Sequence, residues 1–233
     1  MIIAIDGPAG AGKGTLARRL AAHFRFAYLD TGLLYRAVGQ AVLAAGASPD
    51  DPQAATRAAE TLDPATFDNP ALRSEDAAQA ASKVSAIPSV RAALLAFQRG
   101  FATTPPGGAK GAVLDGRDVG TVVCPNANVK LFLTATPEVR AERRVKELRE
   151  RGLEAIHARV LQDMSERDAR DRARAVAPLI PADDALVLET STLDADAVFE
   201  RALRHIASQK PARAIPLLAE PTARPPDPTG RPE

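Results

Sequence analysis

Short apolar runs along the chain alternate with longer segments in which apolar residues recur every three or four positions. Apolar residues recur at helical spacing over residues 13–24 and again from Leu33 until Gly46, which predicts two helices. A last predicted helix turns Val198, Ala202, Leu203 and Ile206 toward the core. The runs that predict strands are residues 2–5, 26–29, 112–114, 129–134 and 185–188. This alternation predicts an α/β fold, with a mostly parallel five-stranded sheet and helices on both faces.

Prolines mark the segments that interrupt the alternation. Pro88 separates two predicted helices, residues 74–86 and 89–101, because a residue before proline is pushed out of the helical region. Residues 47–72 carry four prolines among small and polar residues, so we expect an irregular excursion there. From Pro211 on, seven of 23 residues are proline, which predicts one domain over residues 1–210 and a disordered tail over 211–233.

Capping residues delimit the helices of the C-terminal half. Thr136 and Pro137 predict the N-cap and the first position of a charged helical stretch that reaches about residue 174. Gly152 divides that stretch, and Thr192 is expected to cap the last helix.

Composition excludes several classes of protein. Thirty basic and 29 acidic residues give a net charge of +1, and nine aromatic residues are too few for stacking platforms, so no nucleic-acid partner is expected. No apolar run approaches the ~20 residues of a membrane span, and no signal sequence is expected. The lone Cys124 forms no internal disulfide, which fits a cytoplasmic enzyme or binding protein.

A glycine-rich segment between the first predicted strand and helix has the form Gly-x-x-x-x-Gly-Lys, which is typical of a phosphate-binding loop. Its backbone N–H groups, the helix N-terminus and Lys13 would all face phosphate oxygens. The alternative is a turn that merely joins strand to helix. The candidate ATP-binding residues are Gly7, Pro8, Ala9, Gly10, Ala11, Gly12, Lys13, Gly14 and Thr15.

The segment departs from the usual phosphate loop because Gly14, not Ser or Thr, follows the lysine. Direct binding of Mg²⁺ by Thr15 is therefore not expected, and ATP phosphates and waters would hold most of the ion. Asp115, at the end of a predicted strand, is the best second acidic position near the metal, acting through water. Its alternative is an aspartate that caps the next turn.

Arginine makes up 24 of the 30 basic residues, and guanidinium groups suit phosphate oxygens. Between Arg140 and Arg174 there are ten arginines and one lysine against eight acidic residues. This run is either a salt-bridged, solvated helix pair or a lid, at about residues 140–175, that closes over phosphates.

Five segments in this order make the chain similar to the bacterial-type cytidylate kinases, nucleoside monophosphate kinases with a phosphate loop. The resemblance covers about residues 2–208. The segments that carry it are residues 7–15, 29–36, 80–85, 115–121 and 166–179.

The resemblance implies a doubly wound core, a monophosphate-binding part at about residues 31–102, and a lid. It also implies catalytic roles for Lys13, Arg117, Arg174 and Asp115. Within the implied CMP site, Ser82, Arg91 and Asp118 would read the cytosine edge, and Arg36, Arg117 and Arg174 would hold the phosphate. Arg167 and Asp171 would contact ribose, and Thr31 would complete the site.

The reaction that the resemblance implies is ATP plus CMP, or dCMP, giving ADP and the diphosphate, with Mg²⁺ accompanying ATP. A monomer is expected. One departure matters: the segment between the Arg36 and Ser82 helices is short, so its small sheet should be reduced or absent. Adenylate kinases, and the eukaryotic UMP/CMP kinases similar to them, carry a Gly-Phe-Pro-Arg type sequence where this chain has Gly116-Arg117-Asp118, which argues against both. A kinase for another acceptor, or a nucleotide-dependent switch, remains the alternative; an assay of ADP release with each monophosphate separates them.

Overall fold

The computed structural model describes residues 1–209. Its five strands form one parallel sheet in the order β2-β3-β1-β4-β5, which confirms the predicted α/β fold. The strands are β1 (Ile2–Asp6), β2 (Ala27–Asp30), β3 (Ala112–Gly116), β4 (Val129–Thr134) and β5 (Leu186–Glu189). The carboxyl ends of parallel strands meet at one edge, where ligands bind in folds of this class.

Eight α-helices connect and flank the strands. They are α1 (Lys13–Phe24), α2 (Thr31–Ala44), α3 (Pro52–Glu60), α4 (Glu75–Val84), α5 (Pro88–Thr103), α6 (Pro137–Glu150), α7 (His157–Arg172) and α8 (Ala195–Ser208). Three short 3₁₀ turns, Pro64–Asp68, Pro70–Arg73 and Pro106–Gly108, and one π-helix, Val119–Val123, complete the described part of the chain.

Helices cover both faces of the sheet because side chains alternate along each strand. In β1, Ile3 and Ile5 pack in one core with α1 and α8, while Ala4 lies in a second core with Ala102 of α5 and the π-helix. The phosphate loop therefore follows the central strand of the sheet, whose residues 3–6 are all buried.

A third core lies outside the sheet, among α2, α3, α4 and α5. Gly39 of α2 sits so close to Ala80 of α4 that a Cβ would lie 2.8 Å from the Ala80 Cβ. Residues 31–111 contain helices and turns but no strand, which confirms the expectation that the small sheet of this segment is absent.

Two sequence predictions about local structure were wrong. Residues 47–72 are not irregular, because Pro52, Pro64 and Pro70 each occupy the first turn of a short helix. Proline's fixed φ favours that position, and the preceding Asp51, Asp63 and Asn69 accept backbone N–H bonds as N-caps. The last helix is capped by Asp194, whose carboxylate accepts from the N–H of Ala197, and not by Thr192.

Other predicted boundaries are confirmed within a few residues. Thr136 caps α6, Pro137 takes its first position, and Gly152, with a φ of +75°, separates α6 from α7. The predicted tail over residues 211–233 lies outside the described residues. Over residues 1–209 no single helix is long and apolar enough to cross a membrane, although one bent pair, Glu75–Val84 with Pro88–Gly108, passes the same test of length and composition.

Candidate functional site

The loop after β1 has a backbone that only glycine permits at its first position. Gly7 has a φ of +142°, and a Cβ there would lie 2.0 Å from the carbonyl oxygen of Leu133. Gly12, in the left-handed region, is the N-cap of α1 and makes no side-chain capping bond. The first N–H groups of α1 therefore remain available for an anion at the helix N-terminus.

Side chains from α6 and from the β5–α8 connection bind the outer side of this loop. Arg140 donates to the carbonyl of Ala9 at 3.1 Å, and the Thr190 hydroxyl contacts the carbonyl of Ala11 at 3.2 Å. Arg143 donates to the Thr190 carbonyl at 2.6 Å. Because carbonyls of the loop are bound from outside, its N–H groups are free to point inward.

Lys13 is buried at the first position of α1, and its Nζ donates to the Pro8 carbonyl at 2.9 Å. Burial, and next the charges of Arg117 and Arg167, lower the pKa of this lysine to about 7. Asp115 and Asp30 oppose this shift without cancelling it, so a bound polyphosphate would favour the charged form of Lys13.

Two carboxylates from neighbouring strands lie beside Lys13. Asp30 of β2 and Asp115 of β3 are register partners, and Tyr28 donates to Asp115 at 3.3 Å. Burial, and next the charge of Asp30, raise the pKa of Asp115 to about 7. Like charges held together in this way are stabilised by a cation between or beside them.

One cavity of about 1160 Å³ opens at this edge of the sheet and joins the phosphate loop to residues of α2, α4, α5 and α7. Its volume exceeds the roughly 300–1,000 Å³ of a pocket for one small ligand. Of the predicted site residues, those that line it are Ala9, Gly10, Ala11, Gly12, Lys13, Gly14, Thr15, Thr31, Arg36, Arg91, Asp115, Arg117, Asp118, Arg167, Asp171 and Arg174.

Three predicted residues lie beside the cavity without lining it: Gly7, Pro8 and Ser82. Ser82 is 1% exposed, and its hydroxyl accepts from Arg170 Nε at 3.2 Å. Thr31 lines the cavity, yet its hydroxyl donates inward to the Asp115 carbonyl at 2.8 Å. In this structure both hydroxyls therefore hold elements together.

The far wall of the cavity concentrates guanidinium groups around one aspartate. Asp171 of α7 accepts from Arg117 Nε at 3.0 Å and from Arg174 at 2.5 Å, and it is only 1% exposed. Burial, and next Arg117, lower the pKa of Arg167 to about 9. Among the described residues, Arg36, Arg167 and Arg174 each have a buried Nε with no hydrogen-bond partner. This excess of unsatisfied cationic donors is what an anion site requires.

A second charged pair lies where α5 meets the loop after β3. Arg91 and Asp118 form a buried ion pair, and Arg91 also donates to the Ser85 carbonyl at 3.2 Å. The guanidinium carbon of Arg91 lies 5.5 Å from the centre of the Tyr35 ring. Both members of the pair line the cavity, so a donor and an acceptor are presented there side by side.

A protein-family model described as cytidylate kinase matches residues 3–208. The chain belongs to the cytidylate kinase family. A protein of Paramagnetospirillum magneticum named cytidylate kinase is 66% identical over 209 residues, which are 90% of this chain and 99% of that protein. Another of that name, from Rhodospirillum rubrum, is 62% identical over 212 residues, covering 90% of this chain and 100% of that protein.

A solved structure of an uncharacterized protein from Eubacterium ventriosum has a TM-score of 0.52 to this chain at 17% identity. The match covers 89% of this chain and 98% of that one. It shows a shared fold and nothing about ligands.

The structure of this cytidylate kinase family member adds site residues that sequence reasoning missed: Tyr28, Ser85, Arg140, Arg143 and Thr190. Most of them act through backbone carbonyls or through other side chains, and such roles leave no motif. No local pattern separates Arg140 from the nine other arginines of residues 140–174.

Proposed function

We propose that the protein transfers the γ-phosphoryl group of ATP to CMP, and to dCMP, giving ADP and the diphosphate. One observation carries the proposal for this chain. The cavity that holds the phosphate loop and Lys13 also holds Arg36, Arg117 and Arg174. Membership of the cytidylate kinase family supplies the identity of the two nucleotides.

In this proposal the triphosphate binds at the N-terminus of α1. Backbone N–H groups of residues 9–15 and the helix dipole would face its phosphates, and Lys13 would contact the β- and γ-oxygens. Arg140, Arg143 and Thr190 keep the loop in this conformation from behind. Preorganised donors need not rearrange as charge develops.

The acceptor oxygen needs no strong base. A phosphate monoester with a second pKa of about 6 is mostly dianionic at pH 7, so the obstacle is repulsion between two anions. Arg36, Arg117 and Arg174 would neutralise the CMP phosphate and hold it in line with the γ-phosphorus. Asp171 would orient Arg117 and Arg174, in addition to any contact with ribose.

Cytosine would be read by the pair at α5. The Asp118 carboxylate can accept from the exocyclic N4 amine, and Arg91 can donate to the ring acceptors, with Ser82 nearby on α4. Uracil presents a carbonyl oxygen where cytosine has that amine, so a carboxylate would repel it.

The residues present fit a Mg²⁺ ion held mainly by ATP. Over residues 1–209 no group of three or more His, Cys, Asp or Glu side chains could hold a metal ion. Asp30 and Asp115, however, line the same cavity as Thr15, and their carboxylates would accept from metal-bound water. When bound, the ion would neutralise charge on the phosphate oxygens.

We propose that residues 140–175 act as a lid over a core, with residues 31–102 as the monophosphate-binding part. Arg144 of α6 pairs with Glu75 of α4 at 2.7 Å, and Arg174 donates to Ser85 at 2.6 Å. Contacts of this kind across the cavity would exclude water from the reacting phosphates.

We propose further that the protein acts as a monomer in the cytoplasm, without nucleic acid or membrane as partner. The site residues named above all belong to this chain, so the proposal needs no residue from a second copy. A net charge of +1 offers no broad attraction to polyanions.

The test is ADP release from ATP with each nucleoside monophosphate in turn. We expect fast release with CMP and dCMP, and slow release with UMP, AMP and GMP. Equal or faster rates with another monophosphate would assign a different acceptor. Slow ADP release at the same rate with every monophosphate would favour the nucleotide-dependent switch.

A further inference from the structure

Asp6, the last residue of β1, is a buried carboxylate that the proposed reaction does not use. Its Oδ1 accepts from the N–H of Val119 at 2.8 Å, and its Oδ2 accepts from the N–H of Gly120 at 2.7 Å. These partners are more than a hundred residues away in the sequence. Gly120 leaves room for the contact, because a Cβ there would lie 3.3 Å from Asp6 Oδ2.

The two N–H groups belong to the first turn of the π-helix Val119–Val123. First-turn donors have no partner within a helix, so a side chain, water or ligand must satisfy them. Asp6 satisfies two in succession with one rigid carboxylate, and it is itself held at the end of the central strand. The start of the π-helix is thereby fixed relative to β1.

Asp118 is the residue on which this π-helix begins. Its carbonyl accepts from the N–H groups of Val122 and Val123 at 2.9 and 3.1 Å, while its side chain pairs with Arg91. The peptide that follows Asp118 carries the N–H group bound by Asp6 Oδ1. Loss of that hydrogen bond would free the start of the π-helix to shift, and Asp118 would shift with it relative to Arg91 and the cavity.

A buried carboxylate at this position would destabilise the fold if the N–H groups of Val119 and Gly120 did not donate to it. Burial raises the pKa of Asp6 to about 6, even though the N–H bonds from Gly120 and Val119 oppose the shift. A neutral residue would avoid that cost, so packing alone does not account for an aspartate at this place. The π-helix itself is rare in proteins and is often found at functional sites.

We propose that Asp6 is a positioning residue for base specificity, which acts through the π-helix to orient Asp118 against the pyrimidine. The inference rests on the proposed function, since it assumes that Asp118 reads cytosine. The end of β1 would then have two roles: it leads into the phosphate loop, and through Asp6 it holds the start of the π-helix.

The experiment is a double-mutant cycle with Asp6→Asn and Asp118→Asn, read as the ratio of kcat/KM for CMP to that for UMP. In Asp6→Asn an amide N–H₂ faces a backbone N–H, so we expect the ratio to fall by about tenfold, the effect of one misplaced hydrogen bond at a specificity site. The KM for ATP should change by less than about twofold, since the phosphate-loop contacts are retained. In the Asp118→Asn background, Asp6→Asn should lower the ratio no further.

Asp196→Asn, on the exposed start of α8, is the matched control and should leave the ratio unchanged. The proposal is overturned if Asp6→Asn preserves the ratio, if it raises the KM values for ATP and CMP equally, or if its effect adds to that of Asp118→Asn. If Asp118→Asn alone preserves the ratio, the proposed reading of cytosine fails instead, and this inference fails with it.

Gly120→Ala tests the same contact without removing the carboxylate, and it decides the matter if Asp6→Asn does not fold. The new Cβ would press on Asp6 Oδ2 at 3.3 Å and on Lys130, so we expect a smaller fall of the ratio in the same direction. An unchanged ratio in a folded Gly120→Ala protein, with an unfolded Asp6→Asn protein, would reduce Asp6 to a structural role.

Discussion

Buried charge without a full counter-charge distinguishes the residues of this cavity. Lys13 and Asp115 are both shifted toward their neutral forms, and burial also lowers the pKa of Arg167 and Arg174. Each of these groups loses hydration on folding and regains full compensation only when a ligand of opposite charge arrives. A bound anion would thus gain favourable interactions with Lys13, Arg167 and Arg174, and a bound cation with Asp115.

Lys13→Ala and Arg174→Ala should each lower kcat by about a hundredfold or more, since a preorganised donor is worth on the order of 3 kcal/mol in the barrier. Steady-state kinetics with ATP and CMP give the measurement, with circular dichroism as a check of folding. Arg204→Ala, which removes an exposed arginine of α8 paired with Glu200 at 3.7 Å, is the control. A rate near that of the wild type for either cavity variant would refute the role assigned to it.

Asp115→Asn should raise the melting temperature of the ligand-free protein at pH 8 and leave it unchanged near pH 4. The folded-state pKa of Asp115 is raised to about 7, above its ordinary 3.8. Its contribution to stability is therefore fully present below pH 3.8 and is lost as the pH rises through 7. The amide of Asp115→Asn carries no charge and avoids this loss of stability. A gain of about 1 kcal/mol in the free energy of unfolding corresponds to an increase of about 3 °C in melting temperature.

Differential scanning fluorimetry across this pH range makes the measurement. An equal change of melting temperature at pH 4 and pH 8 would show that Asp115 is not the titrating group. The same variant should lose activity with ATP and Mg²⁺, because an amide does not replace a carboxylate beside metal-bound water.

At the scale of elements, a buried ion pair joins α6 and α7 to the phosphate loop. Arg140 of α6 binds Asp168 of α7 at 2.6 Å, and the same guanidinium donates to the Ala9 carbonyl. Both side chains are nearly inaccessible to solvent. Arg140 therefore connects the start of the proposed lid to the loop that would hold ATP.

Arg140→Met should lower the free energy of unfolding by about 3–5 kcal/mol, because it leaves Asp168 buried without its partner. The double variant Arg140→Met/Asp168→Leu should recover most of this loss, as apolar replacements of buried ion pairs often do. Urea denaturation provides both values. If the double variant is no more stable than Arg140→Met alone, the pair is not the source of the loss.

Local sequence signals predicted most helices and strands correctly, but the prediction that the prolines of residues 47–72 mark irregular chain was wrong. The alternation of apolar runs and helical spacing located all five strands within one or two residues, because burial of both sheet faces leaves a strong apolar signature. The four prolines of residues 47–72 predict irregular chain there, but proline begins helices as well as ending them. The Asp51 and Asp63 caps before Pro52 and Pro64 decide between these uses, and they were readable in the sequence.

At the scale of the whole molecule, the cavity draws on segments from the beginning to the end of the described chain, so its ligands should stabilise the entire fold. Saturation with CMP and ADP at about 100 times each dissociation constant should add about 2.7 kcal/mol per ligand. For a protein of this size that predicts an increase in melting temperature of about 5–10 °C per ligand. UMP with ADP should give a smaller increase than CMP with ADP, and equal increases would contradict selective binding of cytosine.

The chain by itself determined the parallel α/β architecture, the phosphate loop with its Gly14 departure, and membership of the cytidylate kinase family. These follow from period, spacing and residue type, which are properties of contiguous segments. Only the tertiary structure decided which arginines face the cavity, which ones hold the loop from behind, and what Asp6 contacts. Those assignments depend on contacts between residues up to 179 positions apart, such as Thr190 with Ala11. A single sequence does not encode such pairings in any local pattern, because they form only when helices pack on both faces of the assembled sheet.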